Sequence, residues 1–161
     1  MTTILCFDGS LDAAAAIAAA GRLLAPRRAL VVTVWEPVRV WEPYDPATVI
    51  SGPLSKYVSK ELGLDQVAEA VARKKAEHGM ALAVEAGFDA TMRVERGKAW
   101  RVICRIAEEV CAESIVLGAR GLGRVGSVLL GSVSSAVVVH ARRPVLVVPH
   151  GDGGSQSVTS E

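Results

Sequence analysis

Ile115-Val116-Leu117-Gly118-Ala119-Arg120-Gly121, then nine residues, then Gly131-Ser132 is the stretch that decides the fold. It reads as a short buried strand, a turn with two glycines, and the start of a helix running from Ser132 to His140. A glycine lets the backbone turn sharply and come close to a ligand, because no Cβ stands in the way. Gly131 and Ser132 fall where a helix begins, with unbonded N–H groups and the positive end of the aligned peptide dipoles. That combination suits a phosphate or another anion. The expectation is a nucleotide-binding domain whose phosphates lie against this loop.

Working outward, apolar runs alternate with helical patterns. Thr3 to Phe7 reads as a first strand that stops at Asp8-Gly9-Ser10, with Ser10 as N-cap and Asp12 in the first helical turn. The alanine-rich stretch to Leu24 places Ile17, Ala20 and Leu24 on one face. Leu30 to Trp35 is a continuous apolar strand, as expected when both faces are covered. Between Glu36 and Leu54, Pro37, Pro43, Pro46 and Pro53 exclude regular structure, so this is a long loop carrying Trp41 and Tyr44. A helix follows from Asp65 to Ala86, stopped by Gly87. Thr91 to Arg96 alternates and reads as a more exposed strand. Ala99, Val102, Ile103, Ile106, Ala107, Val110 and Cys111 recur at the spacing of a single buried helix face. Pro144 to Val148 is the last strand. Val137-Val138-Val139 has strand composition, but Gly131-Ser132 before it and Arg142-Arg143-Pro144 after it favour helix.

Five strands with helices between them imply an α/β domain with one doubly wound parallel sheet. Ligands of such sheets bind beyond the carboxyl ends of the strands, where the strand order reverses. If the first and fourth strands are neighbours, Asp8-Gly9-Ser10 and the glycine loop form one cleft. Residues 1–150 are expected to make a single domain, and 151–161, small and polar, a disordered tail.

The chain has 161 residues, half of them apolar and 22% charged, with a formal net charge of +1. That balance gives no electrostatic reason to expect nucleic acid or an anionic membrane as partner. No apolar run approaches the roughly 20 residues that span a bilayer, and the first residues do not read as a signal peptide. Cys6, Cys104 and Cys111 show no CxxC spacing, which argues against a disulfide framework and a zinc site and for a reducing, cytoplasmic setting. Cys104 and Cys111, seven apart, are expected in the core. His78, His140 and His150 have no metal-ligand spacing.

Gly121-Leu-Gly123-Arg-Val-Gly126 is a literal GxGxxG, yet it falls at the fourth strand–helix turn rather than the first. The acidic residue expected about 20 positions on is missing from the apolar region around Leu146. No Lys follows the glycines as a P-loop requires. No G-x-S-x-G elbow supports a serine hydrolase. No general base stands ready for an attacking water, so any hydrolysis should be slow. Asp8 has two readings of equal weight: a turn residue, since Asp-Gly-Ser is good turn chemistry, or a ligand for ribose hydroxyls or a Mg²⁺ shared with phosphates. Arg120 can pair with phosphate oxygens, and for Arg124 a solvated charge is favoured. Trp41 and Tyr44 either cover the base or pack on their own domain.

Gly118-x2-Gly121-x9-Gly131-Ser132, with Asp8-Gly9-Ser10 after strand one and Pro144 to Val148 at the end, resembles the universal stress protein family from Thr3 to Val148. The resemblance implies a flavodoxin-like sheet of order 3-2-1-4-5 and the branch of the family that binds ATP, regulatory rather than catalytic. It implies phosphate contacts at Gly118, Gly121, Gly131, Ser132, Val133 and Ser134, with Asp8 near ribose and phosphates and beside it Gly9 and Ser10. It also implies that the backbone near Val34 frames the adenine. It tips Asp8 towards binding, and it implies a homodimer through Val145 to Val148, an apolar strand expected at a sheet edge. Two positions depart from the family pattern: Ala119 stands where serine or threonine is common, and Ser114 where an acidic residue is common. Neither is expected to touch phosphate.

Overall fold

The computed structural model describes residues 2–24, 28–37, 63–120 and 130–149. Its elements are β1 (Thr2–Cys6), α1 (Leu11–Leu23), β2 (Arg28–Trp35), α2 (Leu64–Glu85), β3 (Asp89–Arg96), α3 (Ala99–Glu109), β4 (Ser114–Gly118), α4 (Ser132–His140) and β5 (Val145–Val148). The five strands form one parallel sheet of order β3-β2-β1-β4-β5. This is the expected order. Strand ends differ by one or two residues from the sequence reading, because ladder hydrogen bonds extend past the apolar run at β2 and β3.

Alternation along the strands divides the core into two layers. Leu5, Phe7, Val31 and Val116 face α1 and α2, meeting Ala13, Ala16, Ile17 and Ala20 of α1 and Ala83 of α2. Ile4, Val32, Ile115 and Leu117 face α3 and α4, meeting Val102, Ile103, Ile106 and Val137. The central strands are buried on both sides, which is why they read as unbroken apolar runs. β3 lies at one edge and carries Arg93 and Glu95, which form an ion-pair network with Arg105 and Glu109 of α3. Charge on an edge strand discourages pairing with another chain. The opposite edge, β5, is Val-Leu-Val-Val and half-buried.

Val137 to Val139 are helical, as the flanking signals indicated. Cys111 is a correction. The α3 helix ends at Glu109, and Cys111 lies beyond it, exposed, with φ +48°. The heptad spacing to Cys104 carries no information once the helix has stopped, and a left-handed turn points the chain away from the core face. Cys104 itself is half-buried. The expectations for Trp41, Tyr44, Gly121, Gly123, Arg124, Gly126, His150 and the tail 151–161 lie outside the described residues, as does most of the Glu36–Leu54 loop.

Candidate functional site

The site is built where the sheet changes direction. β1 and β4 are neighbours in the centre of the sheet. From β1 the chain moves outward to β2, and from β4 it moves the other way to β5. The loops leaving the two strands therefore part and leave a crevice at their carboxyl ends. It is a cleft of about 320 Å³ lined by Asp8, Val34, Gly118, Arg120 and the start of α4 from Gly131 to Ser134. Eight of the eleven residues singled out from the sequence meet there, counted from that lining. Its volume is at the low end of the range for small-molecule sites.

The loop after β1 is a tight turn. Gly9 has φ +90°, the left-handed region that glycine enters without strain. The Ser10 N–H donates to Asp8 Oδ1 at 2.9 Å. The Ser10 hydroxyl accepts from the Ala13 N–H at 3.2 Å and caps α1. Gly9 and Ser10 do not line the cleft, because the Ser10 side chain is turned back onto its own helix. The turn reading of Asp8 is met by its Oδ1, and Asp8 also lines the cleft.

The loop after β4 is pinned at its base from three sides. The Ala119 N–H donates to the Val148 carbonyl at 2.8 Å, and the Gly131 N–H donates to the Ala119 carbonyl at 2.7 Å. The Arg120 N–H donates to Asp12 Oδ2 at 3.1 Å. Gly118 is glycine for a reason the sequence did not disclose. A Cβ there would lie 2.6 Å from the Asp12 carbonyl carbon and 2.8 Å from the Ala13 nitrogen, so the first turn of α1 occupies its space.

The N-terminus of α4 opens on the cleft with Gly131 as its N-cap, and no side chain caps it. The first helical amides, those of Ser132, Val133 and Ser134, have no intrahelical acceptor. Together with the helix dipole they present partial positive charge. The Ser134 hydroxyl is spent: buried, it donates to the Gly118 carbonyl at 2.8 Å and ties α4 to β4. Ser134 therefore offers an anion its amide, while exposed Ser132 offers amide and hydroxyl.

Six lining residues were not singled out from the sequence: Cys6, Phe7, Ala13, Val32, Ala99 and Ile103. Ala99 and Ile103 are four apart on the apolar face of α3, where the same periodicity that marks core also marks a cleft wall. Cys6 and Val32 are register partners on neighbouring strands. Cys6 is the last residue of β1, which is a position signal, whereas Val32 lies inside β2 and is placed by its register with Cys6. Burial, then the Cys104 thiol and the Asp8 carboxylate, pushes the Cys6 thiol well above its ordinary range. Cys6 thus stays a neutral, apolar part of the wall. No cluster of three potential metal ligands occurs among the described residues. His78 meets the Phe7 ring edge-on, and His140 stacks on Trp100 with centroids 4.5 Å apart. No helix among the described residues is long and apolar enough to cross a membrane.

The family model described as the Universal stress protein family matches residues 1–149. The chain is 36% identical over 151 residues to the universal stress protein in the QAH/OAS sulfhydrylase 3′ region of Thermus aquaticus, covering 91% of this chain and 97% of that one. Solved structures share the fold at lower identity. The protein MJ0577 superposes with a TM-score of 0.67 at 20% identity, covering 94% of this chain and 96% of that one. A universal stress protein in complex with cAMP gives 0.59 at 23%, covering 92% and 96%. A universal stress protein family protein from Arabidopsis thaliana with AMP bound gives 0.58 at 15%, covering 98% and 97%.

Proposed function

The chain belongs to the universal stress protein family, and from that membership we propose that its cleft binds an adenine nucleotide reversibly, as a regulator rather than a catalyst. One observation carries the reading: the uncapped N-terminus of α4 faces a cleft at the β1–β4 switch point, opposite Asp8. Amides of Ser132, Val133 and Ser134 and the Arg120 guanidinium suit a phosphate chain. Asp8 suits ribose hydroxyls, or a Mg²⁺ that the phosphates share. The walls at Val32, Val34 and Ile103 suit the faces of a purine. Relatives of the same fold solved with cAMP and with AMP support an adenine ligand. ATP is the nucleotide that the spaced glycines of the family's binding branch favour, and the setting is cytoplasmic.

Titration calorimetry with ATP, ADP, AMP and cAMP, each with and without Mg²⁺, tests this. Mass spectrometry of small molecules released from the purified protein complements it. Saturable 1:1 binding of an adenine nucleotide supports the reading. No binding at millimolar concentration, or preference for NAD(P), overturns it.

The β5 edge supports a second reading, a homodimer formed through Val145 to Val148, with nucleotide only tuning assembly. β5 is Val-Leu-Val-Val, whereas the β3 edge carries Arg93 and Glu95, paired with Arg105 and Glu109 of α3. Sedimentation with and without ATP separates the two. Dimers that form without nucleotide in a protein that binds none favour the interaction module.

A further inference from the structure

Asp12 is not part of the cleft lining, yet it holds a residue that is. Its Oδ2 accepts from the Arg120 backbone N–H at 3.1 Å and lies 3.5 Å from Arg120 Nε. The two side chains are 14% and 30% exposed, less than any other ion pair among the described residues. Screening by solvent is correspondingly weaker here than for the surface pairs. Asp12 is also fixed in place, because Gly118 packs directly on its backbone. Among the described residues, Asp8 and Arg120 are the charged side chains that line the cleft. With Asp12 beside Arg120, the local balance of these three side chains is one negative charge.

We propose that Asp12 sets the phosphate-number preference of the cleft. Resting on the nucleotide reading above, it limits how far ATP is favoured over AMP. The carboxylate shares the guanidinium with any phosphate that reaches Arg120, and it repels that phosphate. Each added phosphate brings further negative charge to the site. The penalty from Asp12 therefore grows with the length of the phosphate chain. At the same time the bond to the Arg120 amide holds the base of the loop, so the residue both positions Arg120 and restrains its charge.

The two roles separate in Asp12→Asn. The amide oxygen still accepts from the Arg120 N–H, while the negative charge is gone. The test is the ratio of AMP to ATP dissociation constants, measured by calorimetry at physiological salt in the wild type, Asp12→Asn, Arg120→Met and the double variant. Removing one partly buried charge should raise the preference for ATP about fivefold in Asp12→Asn. The increase should shrink as salt is raised. In the Arg120→Met background the same substitution should leave the increase at half or less. An unchanged ratio in Asp12→Asn overturns the proposal, and so does an increase that survives intact without Arg120. If Asp12→Asn does not fold, Asp12→Ser takes its place, again without the charge, and the same rise in the ratio is expected; an unmoved ratio overturns the proposal. A wild type that binds ATP and AMP with an unmoved variant ratio sinks only the role of Asp12. A wild type that binds neither sinks the nucleotide reading with it.

Discussion

Gly118→Ala tests whether the first glycine of the spaced motif serves packing. The added Cβ would sit 2.6 Å from the Asp12 carbonyl carbon and 2.8 Å from both the Ala13 nitrogen and the Asp12 Cβ. Two of those neighbours are main-chain atoms of a helix, and real Cβ atoms do not approach so closely. No rotamer change relieves the contact, so α1 must move off β4. Overpacking of this kind costs about 1–3 kcal/mol. Alanine returns about 0.4–1 kcal/mol by narrowing the unfolded ensemble. At mid-range values, about 2 less about 0.7, the net loss is about 1.3 kcal/mol, which for a chain of this size lowers Tm by roughly 3–5 °C. Thermal and urea melts followed by circular dichroism measure it. Nucleotide affinity should fall as well, because Asp12 moves with α1 and Arg120 follows Asp12. A Tm equal to or above the parent's refutes the packing reason. If such a stable variant also lost its nucleotide, the glycine would be there for the ligand after all.

Three further outcomes are expected. Gly131→Val places a branched side chain at the helix start that lines the cleft, and adenine nucleotide affinity should drop at least tenfold; a calorimetric constant within twofold of wild type contradicts the site. The Cys6 thiol is held above its ordinary value of 9.0 by burial first. Its neutral form is the one the fold favours, so its contribution is complete below pH 9.0 and is lost as pH rises beyond it, when the unfolded chain ionises first. Urea melts of Cys6→Ala and wild type should diverge in their pH dependence only above that point, and parallel curves to pH 10.5 refute it. Val147→Lys puts a charge on the apolar edge strand and should shift sedimentation towards monomer; an unchanged dimer would exclude β5 as the seam.

Much of the fold was legible because one physical fact, burial on both faces, writes itself as unbroken apolar runs at β1, β2 and β4. The cleft was legible where the backbone marks it: Gly118, Gly131 and Ser132 mark a turn and a helix start, and those do bound the cleft. What local pattern could not carry is the set of partners across the sheet. Gly118 is constrained by Asp12 and Ala13, more than a hundred residues away in the chain. The Ser134 hydroxyl is consumed by a carbonyl on another element. Ala99 and Ile103 share the periodicity of the α3 core face, and only the widening of the sheet at its switch point turns them from core into wall. Cys111 misled because a period of seven holds only while the helix lasts.

The α4 end of the cleft and the apolar edge strand β5 are separated by a single residue's backbone. Ala119 accepts from the Gly131 N–H, the N-cap of α4, and donates to Val148, the last residue of β5. An anion that tightens the first turn of α4 acts on the carbonyl of a residue whose N–H is already bonded to that edge. If nucleotide and dimer are coupled through this residue, linkage makes the coupling reciprocal. A nucleotide that strengthens the dimer by some factor must itself bind the dimer more tightly by that factor per dimer. Titrations at protein concentrations well below and well above the dimer constant, set against sedimentation with and without nucleotide, give the two factors independently. Equal factors above one place coupling between the sites, and Ala119→Pro, which removes the N–H to Val148 while keeping the carbonyl, should bring both towards one. Factors of one in the wild type would mean that the shared residue is a structural pin and that binding and assembly are independent.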